Sequence, residues 1–557
     1  MNENKPNQTI LNNIICLAYL FFILIFSRNI YCQEFPKPKL VVSIVVDQMR
    51  YDYLYRYYNK YSEYGFKKLI NKGYNFRNTH YNYAPTYTSP GHASIFTGAT
   101  PAQHGIIGNN WYSRLKNKLI YAVDDSTVNT VGSTKIEVGK MSPINLLATT
   151  VTDELRLSNN GNSKVIAVSL KDRGAILPGG HSANAAYWFD SYSGNWITSS
   201  YYMEKLPEWL NNFNARKLPQ KYLSQEWNTL LPINNYTESA KDDNLYEGLY
   251  PGELKPTFPH AISKMWKADD YEIIRFTPFG NTLTMDIALA SIEGEKLGQG
   301  NFTDFLSISF SSPDYIGHKM GPQSIEIEDT YLRLDLEIGA FLKYLEQKYG
   351  PEGFLFFLTA DHGAAHVPLH LTDQKIPAGR FSNSEIIKYV ETFLNEKYGV
   401  EKWVLNFVNQ QIYLDHTIIK NKKISLIEIQ EKIADHLLQM NGVSFAYTSY
   451  HFYNWSPTDK PEVLYKNGYY PKRSGDVTIL FEPGWMDSNV GKTGTTHGTS
   501  FNYDTHVPLI WYGWHVSKGS TGEHVDITDI APTVSDMLKI SLPNTSTGKI
   551  LTDYFKK

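Results

Sequence analysis

Five short apolar runs, each ending in a polar cluster, mark out the chain beyond Pro38. LVVSIVVDQMR begins at Leu40, KVIAVSLKDRG at Lys164, FLSISFSSPDYIGH at Phe305, GFLFFLTADHGAAH at Gly353 and VPLIWYGW at Val507. A run that is apolar at nearly every position is the pattern of a strand buried on both faces, as in a parallel sheet. Helical spacing appears between the runs, in DYLYRYYNKYSEYGFKKLINKG from Asp52, IEDTYLRLDLEIGAFLKYLEQKYG from Ile327 and ITDIAPTVSDMLKI from Ile527. The alternation predicts an α/β fold, a three-layer αβα sandwich with a mostly parallel central sheet. In such sheets ligands bind beyond the carboxyl ends of the strands, where most of the polar clusters fall.

Two segments break the alternation. Residues of about 184–270, rich in Trp, Tyr, Asn and Pro, predict irregular capping structure. Residues of about 374–473 carry a small pattern of their own, including VLNFVNQQIYLD and a helical ISLIEIQEKIADHLLQM. Both are expected as insertions over one core, within a single catalytic domain covering 33–557.

Composition narrows the class. A chain of 557 residues, 42% hydrophobic and 20% charged, is globular and long enough for a large core. A net charge of −3 gives no basic stripe for nucleic acid. Near the N-terminus, Lys5 precedes IICLAYLFFILIF, from Ile14 to Phe26. That run is short of the roughly 20 residues a bilayer span needs and suits the core of a secretion signal. Residues 1–32 are therefore expected to be a signal peptide, and the mature protein periplasmic or secreted, with no stable membrane span and a monomer favoured. Both cysteines, Cys16 and Cys32, lie in this segment, so the body depends on its core and on metals rather than on disulfides.

The strand-end clusters supply the candidate chemistry. Asp47 closes the first run, Asp314 and His318 stand four apart in PDYIGH, Asp361 and His362 are adjacent in ADHG, and His497 lies in GKTGTTHGTS. Singly, each has an ordinary reading as a cap, turn or surface residue. Together they are acid and imidazole groups from distant segments that the fold would gather at one edge, and burying them without a cation is costly. Three carboxylates and three imidazoles suit Zn²⁺ better than Mn²⁺ or Mg²⁺, and suffice for two three-ligand sites that each keep an open position.

LVVSIVVDQM, PTYTSPGHASIFTG, HGIIGNNW, VSLKDRG, SPDYIGH, TADHGAAH and TTHGTSFNYDTHVPLIWYG resemble the alkaline phosphatase superfamily, most closely its bacterial, phosphate-irrepressible PafA-type members. The resemblance runs from about Lys39 to the C-terminus. It implies a phosphomonoesterase with two Zn²⁺ and a threonine nucleophile. Asp314, His318 and His497 would hold the first zinc. Asp47, Asp361 and His362 would hold the second, completed by the oxygen of Thr88. Asn109, Lys171 and Arg173 would bind the phosphoryl oxygens. A threonine hydroxyl needs a base or metal to ionise, and a helix start after Thr88 would present N–H groups to an anion. His92, His104, His366 and His506 are expected to be structural or to support a ligand from behind, with His366 and His506, the nearest in sequence to proposed ligands, the first candidates for bracing one.

The expected substrates are small phosphate monoesters. A phosphodiesterase or nucleotide pyrophosphatase of the same superfamily would keep the metals and the threonine but would be expected to replace the Lys-x-Arg pair. A sulfatase would need a C/S-x-P-x-R motif, which TSPGH does not fit. A non-catalytic binding protein on the same fold would have lost the nucleophile or the ligands, and all are present.

Overall fold

The structure, a computed structural model, describes residues 37–488 and 493–555. The expected signal segment lies outside the described residues. Lys39–Lys557 forms one compact unit. At its centre the strand Leu40–Val46 is buried at every position, between Asp304–Phe310 and Phe354–Thr359 and parallel to both. Val165–Ser169 follows beside Asp304–Phe310, again parallel. Register then does the positioning. Val46 pairs with Phe310, Val45 with Thr359 and Ser309 with Ser169, so four chains leave the sheet at one level. Asp47, the helix bearing Asp314, Asp361 and Lys171 are the next residues out.

The full sheet has eleven strands and is mixed, with its parallel strands in the middle. The fifth apolar run departs from the parallel expectation. His506–Gly513 lies antiparallel between Phe354–Thr359 and Tyr74–His80, with Leu509 opposite Thr359. Its reversed direction puts its start, rather than its end, at the ligand edge, which is how the loop carrying His497 reaches the site.

Three other expectations change. Residues 52–73 do not form one helix but break into Tyr53–Arg56, a 3₁₀ turn Tyr58–Lys60 and Phe66–Lys72. Asp335 from the long helix Ile325–Tyr349 causes the break, its carboxylate accepting from the backbone N–H of Ser62 at 2.7 Å and of Phe66 at 2.6 Å. The stretch 184–270 opens with two strands of the main sheet, Ala185–Asp190 and Asn195–Ser199, whose aromatic residues hid the strand pattern. The second inserted segment builds a four-stranded sheet, in the order Val404–Val408, Gln411–Leu414, Val477–Phe481, Val443–Thr448, over its own apolar cluster. Its third strand lies beyond the expected boundary at 473.

One buried charge cluster ties the capping segment to the long helix. The His260 ring is fully buried, with Nδ1 2.7 Å from Glu253 and Nε2 3.0 Å from Glu326. Burial alone would lower the imidazole, but the two carboxylates outweigh it and hold it at about 9. Burial pushes the Glu326 carboxyl up, and its hydrogen bond to His260 opposes that rise. Because the folded value lies above the free value of about 6.5, this stabilisation is complete below pH 6.5 and is lost as pH rises through 9. His260→Gln should cost about 3 kcal/mol at pH 6 and much less at pH 10, as read from urea unfolding midpoints.

Candidate metal centre

The six predicted ligands come together as two triads, Asp314–His318–His497 and Asp47–Asp361–His362, the ligand atoms of each within 4.8 Å of one another. Local structure explains the first. Asp314 sits in the opening turn of the helix Ser312–Met320, and the i,i+4 spacing stacks His318 on the same face, with Nε2 3.0 Å from Asp314 Oδ1. His497 Nε2 approaches the same oxygen at 3.7 Å. In the second triad His362 Nε2 lies 3.4 Å from Asp47 and 3.6 Å from Asp361. The triads adjoin, since the rings of His362 and His497 stack with centroids 3.4 Å apart.

All three histidines are oriented in the same way. Backbone carbonyls meet Nδ1, of Thr495 for His318 at 2.8 Å, of Gly363 for His362 at 3.0 Å and of Thr86 for His497 at 2.7 Å. A carbonyl at Nδ1 requires its proton there and leaves Nε2 as the lone-pair donor facing the carboxylates, as in metal-ligating histidines. Burial pushes His362 down to about 3, and burial together with His362 holds His497 well below its usual range, so both are neutral. His318 goes the other way, its burial outweighed by Asp314.

The carboxylates split similarly. Burial, then Asp47, drives Asp361 well above the usual carboxylate range, and burial, then Asp314, raises Asp47. Asp314 is buried too, but His318 and Lys171 outweigh that and hold it well below. The Lys171 ammonium links the triads, 2.6 Å from Asp47 Oδ2 and 2.5 Å from Asp314 Oδ2. This still leaves Asp47 Oδ1, Asp361 Oδ2 and His362 Nε2 buried without hydrogen-bond partners. Each such atom costs about 1–3 kcal/mol. Three orphaned donor atoms of one triad fit a cation that all three can ligate, and with the matching donor set of the other triad the residues fit two divalent ions.

Thr88 is the first residue of the helix Thr88–Thr97 and is buried. It lies against both triads through its neighbours. The Thr86 carbonyl holds His497, and the Thr88 carbonyl accepts from His92 Nδ1 at 2.9 Å, the same nitrogen standing 3.5 Å from Asp361. Gly91 permits this approach, because a Cβ there would sit 2.4 Å from the Asp361 carbonyl. Asn109 caps the helix start, accepting from the Ser89 N–H at 2.9 Å. Pro90 has no N–H and that of Gly91 bonds Tyr87 at 2.9 Å, so the helix start has fewer backbone donors for an anion than the sequence led us to expect. Lys171 precedes the helix Asp172–Gly179 and Arg173 lies in its first turn, Nη1 donating to the Tyr121 hydroxyl at 3.0 Å and Nε buried without a partner.

Sequence reasoning missed two residues and misplaced one. Gln48 donates from its backbone N–H to Asp361 at 3.1 Å and from Nε2 to Asp314 at 2.6 Å, so it braces both triads. It adopts φ 62°, unusual for a residue with a side chain, and Gly317 makes room for it. Only its position after Asp47 could have flagged it. Tyr315 offers its ring to Lys171 at 4.9 Å. Of these histidines His92 stands beside a ligand, 3.5 Å from Asp361, with its ring nitrogens bonded to the Thr88 carbonyl and Ser309, whereas His366 lies against Arg50 and Gln323 and His506 bonds the Arg77 carbonyl. His104 bonds Ser94 at 3.0 Å and is structural.

Comparison with known proteins gives the family. Residues 41–500 match the family Type I phosphodiesterase / nucleotide pyrophosphatase. The chain is 45% identical over 522 residues to alkaline phosphatase PafA of Elizabethkingia meningoseptica, covering 93% of this chain and 94% of that one. It is 46% identical over 534 residues to alkaline phosphatase PhoV of Synechococcus elongatus, covering 95% of each. The crystal structure of wild-type alkaline phosphatase PafA superposes with a TM-score of 0.90 at 44% identity, over 94% of this chain and 99% of that one. A solved PafA variant, with a threonine changed to serine and an asparagine, a lysine and an arginine changed to alanine, gives 0.89 at 43% identity, over 93% and 99%.

Proposed function

This chain belongs to the alkaline phosphatase superfamily, as an alkaline phosphatase of the PafA and PhoV type, and we propose that it cleaves phosphate monoesters through a phospho-threonine at Thr88, beside two Zn²⁺ ions, after export. The observation that carries this is the pair of adjoining buried triads against the start of the Thr88 helix. A second supports the side chains: the four residues changed in the PafA variant stand at the same separations along their chain as Thr88, Asn109, Lys171 and Arg173 do here.

The roles follow from the chemistry of each group. Thr88 attacks phosphorus in line with the departing alcohol, and its hydroxyl proton must be lost to do so. Asp314, His318 and His497 would hold one zinc and Asp47, Asp361 and His362 the other. Bound there, the pair would supply Lewis acidity and would ease loss of a proton from a hydroxyl or water at neutral pH. Asn109 spends its carbonyl on Ser89 N–H and keeps its amide NH₂ to donate to a phosphoryl oxygen. Arg173 offers the unpartnered Nε as a charged donor, and Lys171 places a positive charge between the triads. Water then attacks the phosphorus of phospho-Thr88 and frees both the threonine and phosphate.

Metal removal is the direct test. Dialysis against a chelator should lower p-nitrophenyl phosphate hydrolysis by at least about 100-fold, and two equivalents of Zn²⁺ per chain should restore it. Full activity in protein that elemental analysis finds free of metal overturns the reading. The expected export is tested separately, by the N-terminal residue of the mature protein recovered from the cell envelope.

A further inference from the structure

Phosphate monoesters differ only in the alcohol that leaves, so the room beside the triads decides which are accepted. A cavity of about 240 Å³ begins at Asn109 and His497 and has its far wall in the second inserted segment and the strand after it, at Phe381, Phe407, Trp485 and Met486. The wall is held in place by the tip of the hairpin between Val404–Val408 and Gln411–Leu414. Asn409 and Gln410 take φ of 54° and 61°, the left-handed conformation a two-residue hairpin turn requires. From there Asn409 Nδ2 donates to the Asn110 carbonyl at 2.5 Å, and Gln410 Nε2 to the Gly498 carbonyl at 2.7 Å. The insertion is thereby tied to the two loops that carry Asn109 and His497.

We infer that this cavity is the leaving-group subsite and that it selects monoesters whose alcohol carries a single aromatic ring. The inference rests on the monoesterase reading above. The volume lies below the roughly 300–1,000 Å³ of sites for drug-sized ligands, which suits one ring and excludes a polymer. Aromatic and thioether side chains line the far wall, and rings pack on such groups by offset or edge contact. The amides of Asn409 and Gln410 are already committed, and the far wall offers a ring apolar contact. A second cavity, of about 460 Å³, reaches Lys171 and Arg173 but contains no triad ligand.

Benzyl and methyl phosphate test this, because their alcohols are of similar acidity and the bond being broken is matched. The zinc-loaded enzyme should favour benzyl phosphate about tenfold in kcat/KM, and benzylphosphonate should inhibit about tenfold more tightly than methylphosphonate. Met486→Ala, which empties part of the wall, and Asn383→Trp, which fills the cavity from the half-buried start of the helix Asn383–Tyr398, should each lower the benzyl-to-methyl ratio about fivefold. A wild-type ratio near one, or ratios unchanged in both variants, overturns the subsite. If neither ester is turned over, the monoesterase reading fails instead, and the phosphonate pair, read by calorimetry, still decides whether the cavity takes a ring.

Discussion

Replacing Thr88 by alanine should reduce kcat on p-nitrophenyl phosphate by on the order of 10³-fold or more, while the protein keeps two metal ions per chain. Two parts of that expectation have separate grounds. The loss follows because Thr88 opens a helix whose neighbouring carbonyls meet His497 and, at Thr88 itself, the His92 ring that stands beside Asp361. Retention of metal follows because six other side chains make up the triads and their bracing does not pass through the Thr88 hydroxyl: the three histidines are fixed by the carbonyls of Thr495, Gly363 and Thr86. Thr88→Ser keeps a hydroxyl on the same carbon and should retain measurable turnover. Steady-state rates with elemental analysis of the same preparations decide the matter. Activity of Thr88→Ala within tenfold of wild type would remove Thr88 as the nucleophile, and loss of metal would show that its oxygen is needed as a ligand.

The sequence made the ligand edge legible because burial on both faces leaves a strong signature. Leu40–Val46 and Phe354–Thr359 are apolar at nearly every position, and the first polar residue after each is visible by eye. The fifth run has the same signature, yet runs antiparallel, since two-sided burial reports environment and not direction. Ala185–Asp190 was hidden for the opposite reason, its Trp, Tyr and Phe reading as irregular although the strand is wholly buried. At the site, residue type pointed to the ligands, since few combinations of three carboxylates and three imidazoles serve anything but a cation. Gln48 and His92 were not legible. Their importance comes from contacts 313 and 269 residues away along the chain, to Asp361, and no local pattern encodes a contact of that separation.

Changing Lys171 and Arg173 together to alanine should lower kcat/KM for a monoester by on the order of 10³-fold and for a diester by about tenfold. A monoester reaches the site as a dianion and a diester as a monoanion with one oxygen capped, so the two cations distinguish them by charge and by the number of oxygens they can contact. Two charge-assisted donors at about 2 kcal/mol each account for the monoester figure. Lys171 complicates the comparison, because its ammonium also holds Asp47 and Asp314, at 2.6 Å and 2.5 Å. Removing it withdraws a positive charge from both triads, which should tighten metal binding rather than loosen it, while leaving the two carboxylates less firmly oriented. Arg173→Ala alone separates the effects, since Arg173 makes its hydrogen bond to Tyr121 and not to a ligand. It should cost a monoester about 30-fold and leave metal content at two per chain. Equal losses on both ester classes would mean that the pair holds the site together without sensing the second negative charge, and the diesterase assignment would then fit the kinetics better.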